Sequence, residues 1–148
     1  MLHDWGSRDQ DFIDTNTRVC ERLLAIANAS ESHVCVPLQG SGTFIVEAAL
    51  CTLIPPNGKA LILVNGAYGK RMAKILDYTS RSYLIQETPE DQPPSIGNLE
   101  EALDTDADIS HVLAVHCETT SGILNPIEKI SNVVKSRGRS LFIDAMSA

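Results

Sequence analysis

The chain has 148 residues, about one domain's worth and enough to bury one sizeable core. Hydrophobic residues make up 43% and charged residues 21%, a composition that folds rather than one that stays disordered. Nineteen acidic residues against 12 basic ones give a net charge of −7, and no Lys/Arg cluster relieves it, which argues against nucleic acid or an anionic membrane as a partner.

The longest apolar run, Ala60–Val64, is far too short to span a bilayer. Met1–Trp5 has neither the basic nor the apolar region of a signal peptide. A cytoplasmic location is expected, with the mitochondrion open in a eukaryote. Cys20, Cys35, Cys51 and Cys117 are widely spaced in largely apolar surroundings with no CxxC pair. They are expected to be buried free thiols in a reducing compartment, and no metal is expected.

In chain order, Phe12, Val19, Leu23 and Ile26 recur at helical spacing and predict a helix over 10–28. A short strand fits His33–Leu38. A helix fits Gly42–Leu53, closed by Pro55-Pro56. A strand over 60–64 leads into a helix over 67–77, then a strand over 82–86. Glu87–Ser95, rich in Pro, Glu, Asp and Gln, reads as a solvated loop within one domain. A helix is expected from Asn98, where Asn98 and Glu101 have capping-box spacing. A strand fits His111–His116. The next helix has Asn125 as cap, Pro126 at its first position, Glu128 three past the cap and Gly138 at its end. A last strand fits Ser140–Asp144. Three of the strands are continuously apolar, so both faces should be covered. The alternation implies an α/β fold, a mainly parallel open sheet with helices on both faces. Ligands of such sheets bind beyond the carboxyl ends of the strands, so chemistry is sought there.

The first predicted strand runs into Gln39-Gly40-Ser41-Gly42-Thr43 ahead of an apolar helix. Free backbone N–H groups, two hydroxyls and a positive helix end make this a phosphate cradle, though a tight turn plus a helix cap reads the same way. It is neither a Walker loop nor a GxGxxG nor a nucleophile elbow. Asn65-Gly66-Ala67-Tyr68-Gly69 ends the next strand, and Tyr68 can lie flat against a ligand or be an ordinary half-buried turn residue. His116-Cys117-Glu118-Thr119-Thr120-Ser121-Gly122 is either a polar ligand shell or a solvated loop. Asp144 closes an apolar strand. A partly desolvated carboxylate there wants a cation, or caps the next element. Phosphate cradle, flat ring, hydroxyls and acid at one mouth describe a site for a phosphorylated aromatic heterocycle, and pyridoxal phosphate fits.

These stretches, together with Ile123-Leu124-Asn125-Pro126 and Ala145-Met146-Ser147, resemble the class V (fold type I) pyridoxal-phosphate aminotransferases over essentially the whole chain. Within that family, Asn65–Met72 and Glu118–Gly122 are most similar to the 2-aminoethylphosphonate–pyruvate transaminases. The resemblance implies that Ser41, Gly42 and Thr43 hold the cofactor phosphate. It implies that Tyr68 stacks on the pyridine ring, that Thr119 bonds near its phenolic oxygen and that Asp144 pairs with the pyridinium nitrogen. It implies amino transfer from an amine donor, 2-aminoethylphosphonate, to pyruvate, in a homodimer. The family's Schiff-base lysine lies downstream of this aspartate, whereas Lys59, Lys70, Lys74, Lys129 and Lys135 all precede Asp144. The chain is therefore expected to be part of the large cofactor-binding domain, without the small C-terminal domain, and inactive alone. Alanine–glyoxylate or serine–pyruvate transfer, and a non-catalytic binding module, are the alternatives.

Overall fold

In the computed structural model, which describes residues 4–148, the chain falls into two compact units, one reaching to Gly40 and the other Ser41–Ala148. The reading of Met1–Trp5 falls partly outside the described residues.

The first unit is one helix and an irregular tail. Helix α1 spans Gln10–Ile26 and follows Asp9, whose carboxylate accepts the Gly6 N–H at 2.8 Å. None of its residues is buried, so its apolar stripe is exposed. The strand expected over His33–Leu38 does not form. A strand needs a partner for its ladder, and this segment has none among the described residues, with Val34 and Val36 largely exposed.

The second unit carries the sheet. Helix α2 (Gly42–Leu53) starts where the Ser41 hydroxyl accepts the Phe44 N–H at 3.2 Å, and Pro55-Pro56 follows its end. Strand β1 (Lys59–Val64), helix α3 (Ala67–Tyr78) and strand β2 (Ser82–Glu87) come next, within one residue of expectation. Helix α4 spans Ile96–Thr105, two residues earlier than expected. Its cap is Ser95, whose hydroxyl accepts the Asn98 N–H at 3.3 Å, so Asn98 lies inside the first turn. Strand β3 (Ile109–Val115) also starts two residues early. The short strands β4 (Cys117–Glu118) and β5 (Ile123–Leu124) pair antiparallel, a ribbon that patterning did not predict. Helix α5 spans Ile127–Ser136, with Pro126 rather than Asn125 at its cap position. Strand β6 (Ser140–Asp144) ends the sheet as expected.

The sheet order is β2-β1-β3-β6, every pair parallel. On β1, Ala60, Ile62 and Val64 point to one face with Leu50, Met72 and Leu76 of α2 and α3. Leu61 and Leu63 point to the other, with Leu99 and Leu103 of α4 and Ile130 and Val134 of α5. Period two on the strand and 3.6 on the helices thus make two cores on one sheet. The chain leaves β1 toward β2 through α3 and returns to β3 through α4 on the opposite face. Strand order therefore reverses between β1 and β3, and their carboxyl ends open onto the switch-point crevice of a doubly wound sheet. The four cysteines are free, but each is half-buried rather than buried, because none points into either core.

Candidate active site

At the carboxyl end of the sheet, a cleft of about 200 Å³ is lined by Ser41, Gly42, Thr43, Val46, Tyr68, Arg71, Asp144 and Met146. Its floor is the start of α2. The first N–H groups of a helix have no partner inside it and carry the positive dipole end. The Ser41 hydroxyl accepts the N–H of Phe44, while those of Gly42 and Thr43 have no partner inside the helix. A Cβ on residue 42 would meet the Met146 methyl at 2.5 Å, so the end of that exposed side chain lies over the helix start. The cleft is smaller than the roughly 300–1,000 Å³ of drug-sized sites, so these residues form a floor and walls rather than a closed chamber.

Asp144 stands on the other wall, half-buried at the end of β6. Its Oδ1 accepts the Met146 N–H at 3.1 Å, which fixes the carboxylate's direction. No Lys, Arg or His lies within ion-pair distance of it among the described residues. The cation that a partly desolvated acid calls for is therefore not supplied from within the described chain.

Tyr68 sits in the first turn of α3, partly buried against the core on that face. Three residues on, Arg71 lies on the same side of the helix. Its guanidinium carbon is 4.7 Å from the Tyr68 ring centroid, and its Nη1 donates to the Thr43 hydroxyl at 2.9 Å. Among the described residues Arg71 has no carboxylate partner, so the cleft holds an unneutralised cation beside the α2 N-terminus. It lies in the Asn65–Met72 stretch but carried no predicted role. Its spacing from Tyr68 was the signal that could have marked it.

Of the predicted ligand residues, the fold gathers Ser41, Gly42, Thr43, Tyr68 and Asp144 on this cleft. Thr119 does not line it. It is exposed, and its hydroxyl donates to Ser147 Oγ at 2.7 Å, tying the β4 turn to the segment after Asp144. No lysine lines the cleft. Lys70 Nζ lies 3.3 Å from Glu87 and 3.7 Å from Glu90, and the Glu87 hydrogen bond and charge raise its pKa, the reverse of what a nucleophilic amine needs. Behind the cleft, the amides of Asn65 and Asn125 bond each other reciprocally at 2.9 and 3.2 Å, and Asn125 also donates to the Val115 carbonyl at 2.8 Å. That is why Asn125 is not the α5 cap.

The sequence aligns along 100% of its length, at 53% identity, with a protein of Pseudomonas fluorescens named 2-aminoethylphosphonate–pyruvate transaminase. A Pseudomonas putida protein of the same name is 54% identical over the same span. The pyridoxamine–pyruvate aminotransferase of Mesorhizobium loti superposes with a TM-score of 0.85 at 26% identity, covering 94% of this chain and 35% of that one. The chain is similar over its whole length to part of these transaminases, and it shares its fold with solved aminotransferase structures. It spans 40% of the length of the curated transaminases it matches. An alanine–glyoxylate aminotransferase of Nostoc sp. superposes with a TM-score of 0.86 at 23% identity, which extends the shared aminotransferase fold. No protein-family model matches the chain.

Proposed function

We propose that this chain provides the cofactor cleft of a pyridoxal-phosphate-dependent transaminase that moves the amino group of 2-aminoethylphosphonate to pyruvate, giving phosphonoacetaldehyde and alanine. One observation carries the cofactor reading. The cleft brings together the start of α2 on its floor and the Asp144 carboxylate, which has no ion-pair partner among the described residues, on a wall. That pairing suits a ligand with a phosphate at one end and a protonated ring nitrogen at the other. The substrate pair is taken from the relatives' name, supported by 53% identity across the whole chain.

Bound pyridoxal phosphate would supply an electron sink for the carbanion that amino transfer creates. The residues of the chain prepare that group. The Gly42 and Thr43 N–H groups and the Ser41 and Thr43 hydroxyls would take the phosphate. Arg71 adds positive charge and, by donating to Thr43 Oγ1, turns that hydroxyl's own proton toward the cleft. Tyr68 offers a flat face held by its helix. Asp144 would keep the proton on the ring nitrogen. Thr119 would act near the ring's phenolic oxygen only after its bond to Ser147 is exchanged. No lysine reaches the cleft, so the covalent anchor of the family is assigned to chain outside these 148 residues, with the small domain and a second subunit.

The test is a titration with pyridoxal phosphate, followed by cofactor absorbance, on the longer protein to which this reading assigns the chain, as wild type and as Asp144→Asn. Asp144→Asn should lower affinity and abolish turnover. Amino transfer is then measured with 2-aminoethylphosphonate and pyruvate, and with alanine and glyoxylate. Failure of the wild type to bind cofactor would overturn the cofactor reading. Preference for alanine and glyoxylate would overturn the substrate.

A further inference from the structure

Glu118 is a fully buried carboxylate in the second unit, and the cofactor cleft does not include it. We propose that Glu118 is the positioning residue for the Tyr68 ring, acting by capping α3 from the turn that follows β3. Helix α3 has no side-chain cap of its own at its N-terminus. Its cap position is Gly66, which has no side chain to bond the free N–H groups of the first turn. Residues 118–120 serve those groups instead. The Ala67 N–H donates to Thr120 Oγ1 at 3.3 Å, and that hydroxyl donates onward to Glu118 Oε1 at 2.9 Å. The Tyr68 and Thr120 N–H groups make longer contacts with the same oxygen, at 3.5 and 3.4 Å.

Burying a carboxylate is costly unless donors or charge compensate it. Among the described residues no cation lies within ion-pair distance of Glu118, and its Oε2 has no partner. Its compensation is the positive end of α3 and the donors around Oε1. The dependence runs both ways. The helix end stabilises the carboxylate, and the carboxylate fixes the turn that carries Tyr68.

Gly66 completes the device. A Cβ there would lie 2.2 Å from Glu118 Cγ and 2.3 Å from Cδ, inside any tolerable contact. Its φ of 172° is ordinary extended backbone, so the glycine is required by space and not by conformation. The glycine admits Glu118, Glu118 seats the helix, and the helix presents Tyr68. The purpose given to the ring rests on the cofactor reading above; the cap itself does not.

The experiment uses the protein as its gene encodes it, with the variants Glu118→Ala, Glu118→Gln, Thr120→Val, Gly66→Ala and Gly66→Ala/Glu118→Ala. Three readouts are taken: amide hydrogen exchange at Ala67 and Tyr68, the Tyr68 ring proton shifts, and the circular dichroism induced in added pyridoxal phosphate. Glu118→Ala and Thr120→Val should speed exchange at those amides about tenfold, the size of a lost cap. They should also shift the ring protons and weaken the induced signal. Glu118→Gln keeps an acceptor at Oε1 and should retain most of the protection. Gly66→Ala should mimic Glu118→Ala, and adding it to Glu118→Ala should change little more. Thr120 is exposed, so Thr120→Val carries the test if Glu118→Ala does not fold. Unchanged exchange and ring shifts in Thr120→Val and Glu118→Ala would overturn the inference. So would faster exchange with an unaltered induced signal. If the wild type gives no induced signal, the cofactor reading fails, and the exchange and ring shifts alone decide for or against the positioning role.

Discussion

The amide pair of Asn65 and Asn125 shows how much depends on single atoms behind the cleft. Both side chains are almost completely buried, and their donors and acceptors are spent on each other, on the Val115 carbonyl and on the Gln92 carbonyl. The pair joins the end of β1 to the start of α5 and pins the 88–95 loop through Gln92. Asn125→Ala would orphan the Asn65 amide and the Val115 carbonyl, at about 1–3 kcal/mol for each buried group left unmade. Asn125→Asp should be worse at neutral pH. It places acceptor oxygens against the Asn65 and Val115 carbonyls and adds a buried charge. Thermal melts of the two variants at pH 7 test this order, and an Asp variant as stable as the wild type would show that the pair is not the tie described here. Arg71 and Glu118 are the residues whose roles were hardest to read. Each stands in a stretch that carries the resemblance, yet each makes a side-chain bond that the pattern does not mark: Arg71 to the Thr43 hydroxyl, and Glu118 to the Thr120 hydroxyl.

Element ends divide cleanly into those set locally and those set by tertiary pairing. Helix α5 stops for a local reason. Gly138 sits at φ 66°, its N–H bonds the Lys135 carbonyl at 3.0 Å, and the Arg139 N–H bonds the Val134 carbonyl at 3.1 Å, closing the last turn. A Cβ there would touch nothing within 4 Å, so Gly138→Ala isolates the cost of left-handed backbone. It should destabilise by about 1 kcal/mol, read as a lower denaturant midpoint with an unchanged m-value; a loss of several kcal/mol would mean that the residue does more than end a helix. Signals of this local kind were legible in sequence: Ser41 ahead of α2, Pro55-Pro56 after it, the apolar run of β1, Gly138 past α5. Three others were not, because the deciding contact is distant or contested. Ser95 outcompetes Asn98 for the α4 cap, since it stands outside the first turn and can accept the Asn98 N–H. Asn125 has the composition and spacing of a cap, but its amide is claimed by Asn65 from 60 residues away. His33–Leu38 has strand-like residues, but a strand exists only where a second one pairs with it. Tyr68 and Asp144 were legible because an α/β chain opens its cleft beyond strand ends, whereas Ser41–Thr43 follows no strand and was legible only from its glycines and hydroxyls ahead of an apolar helix.

At the scale of the molecule, a chain of net charge −7 must manage its carboxylates as it folds. Two of them are tied into hydrogen-bonded pairs on the α4 and α5 side of the sheet, and Glu100 lies 3.9 Å from Arg137 as well. Arg137 of the α5 end grips Asp104 through Nε at 2.7 Å and Nη2 at 2.9 Å, a bidentate fork between the two helices. Lys59, at the start of β1, bonds Asp106 just past α4. The Arg137 hydrogen bond draws the Asp104 pKa below its ordinary value, and the Lys59 hydrogen bond does the same for Asp106. The sign of the linkage follows from these directions. A carboxylate with a depressed folded-state pKa binds fewer protons folded than unfolded. Its contribution is therefore complete above the unfolded value of about 3.9 and is lost as pH falls through the lower folded value. Stability from this source should be level from pH 7 to about 5 and decline below about 4. Asp104 is largely exposed, so water and salt screen the pair and the effect is small. Asp104→Asn should lower Tm by about a degree or two at pH 7 in low salt, and the gap to the wild type should close as pH falls through the lowered folded-state value, where the aspartate is protonated. High salt should shrink the pH 7 gap. If the gap persists undiminished as the pH is lowered until the carboxylates are protonated, the fork between α4 and α5 holds by packing of the arginine stem rather than by charge.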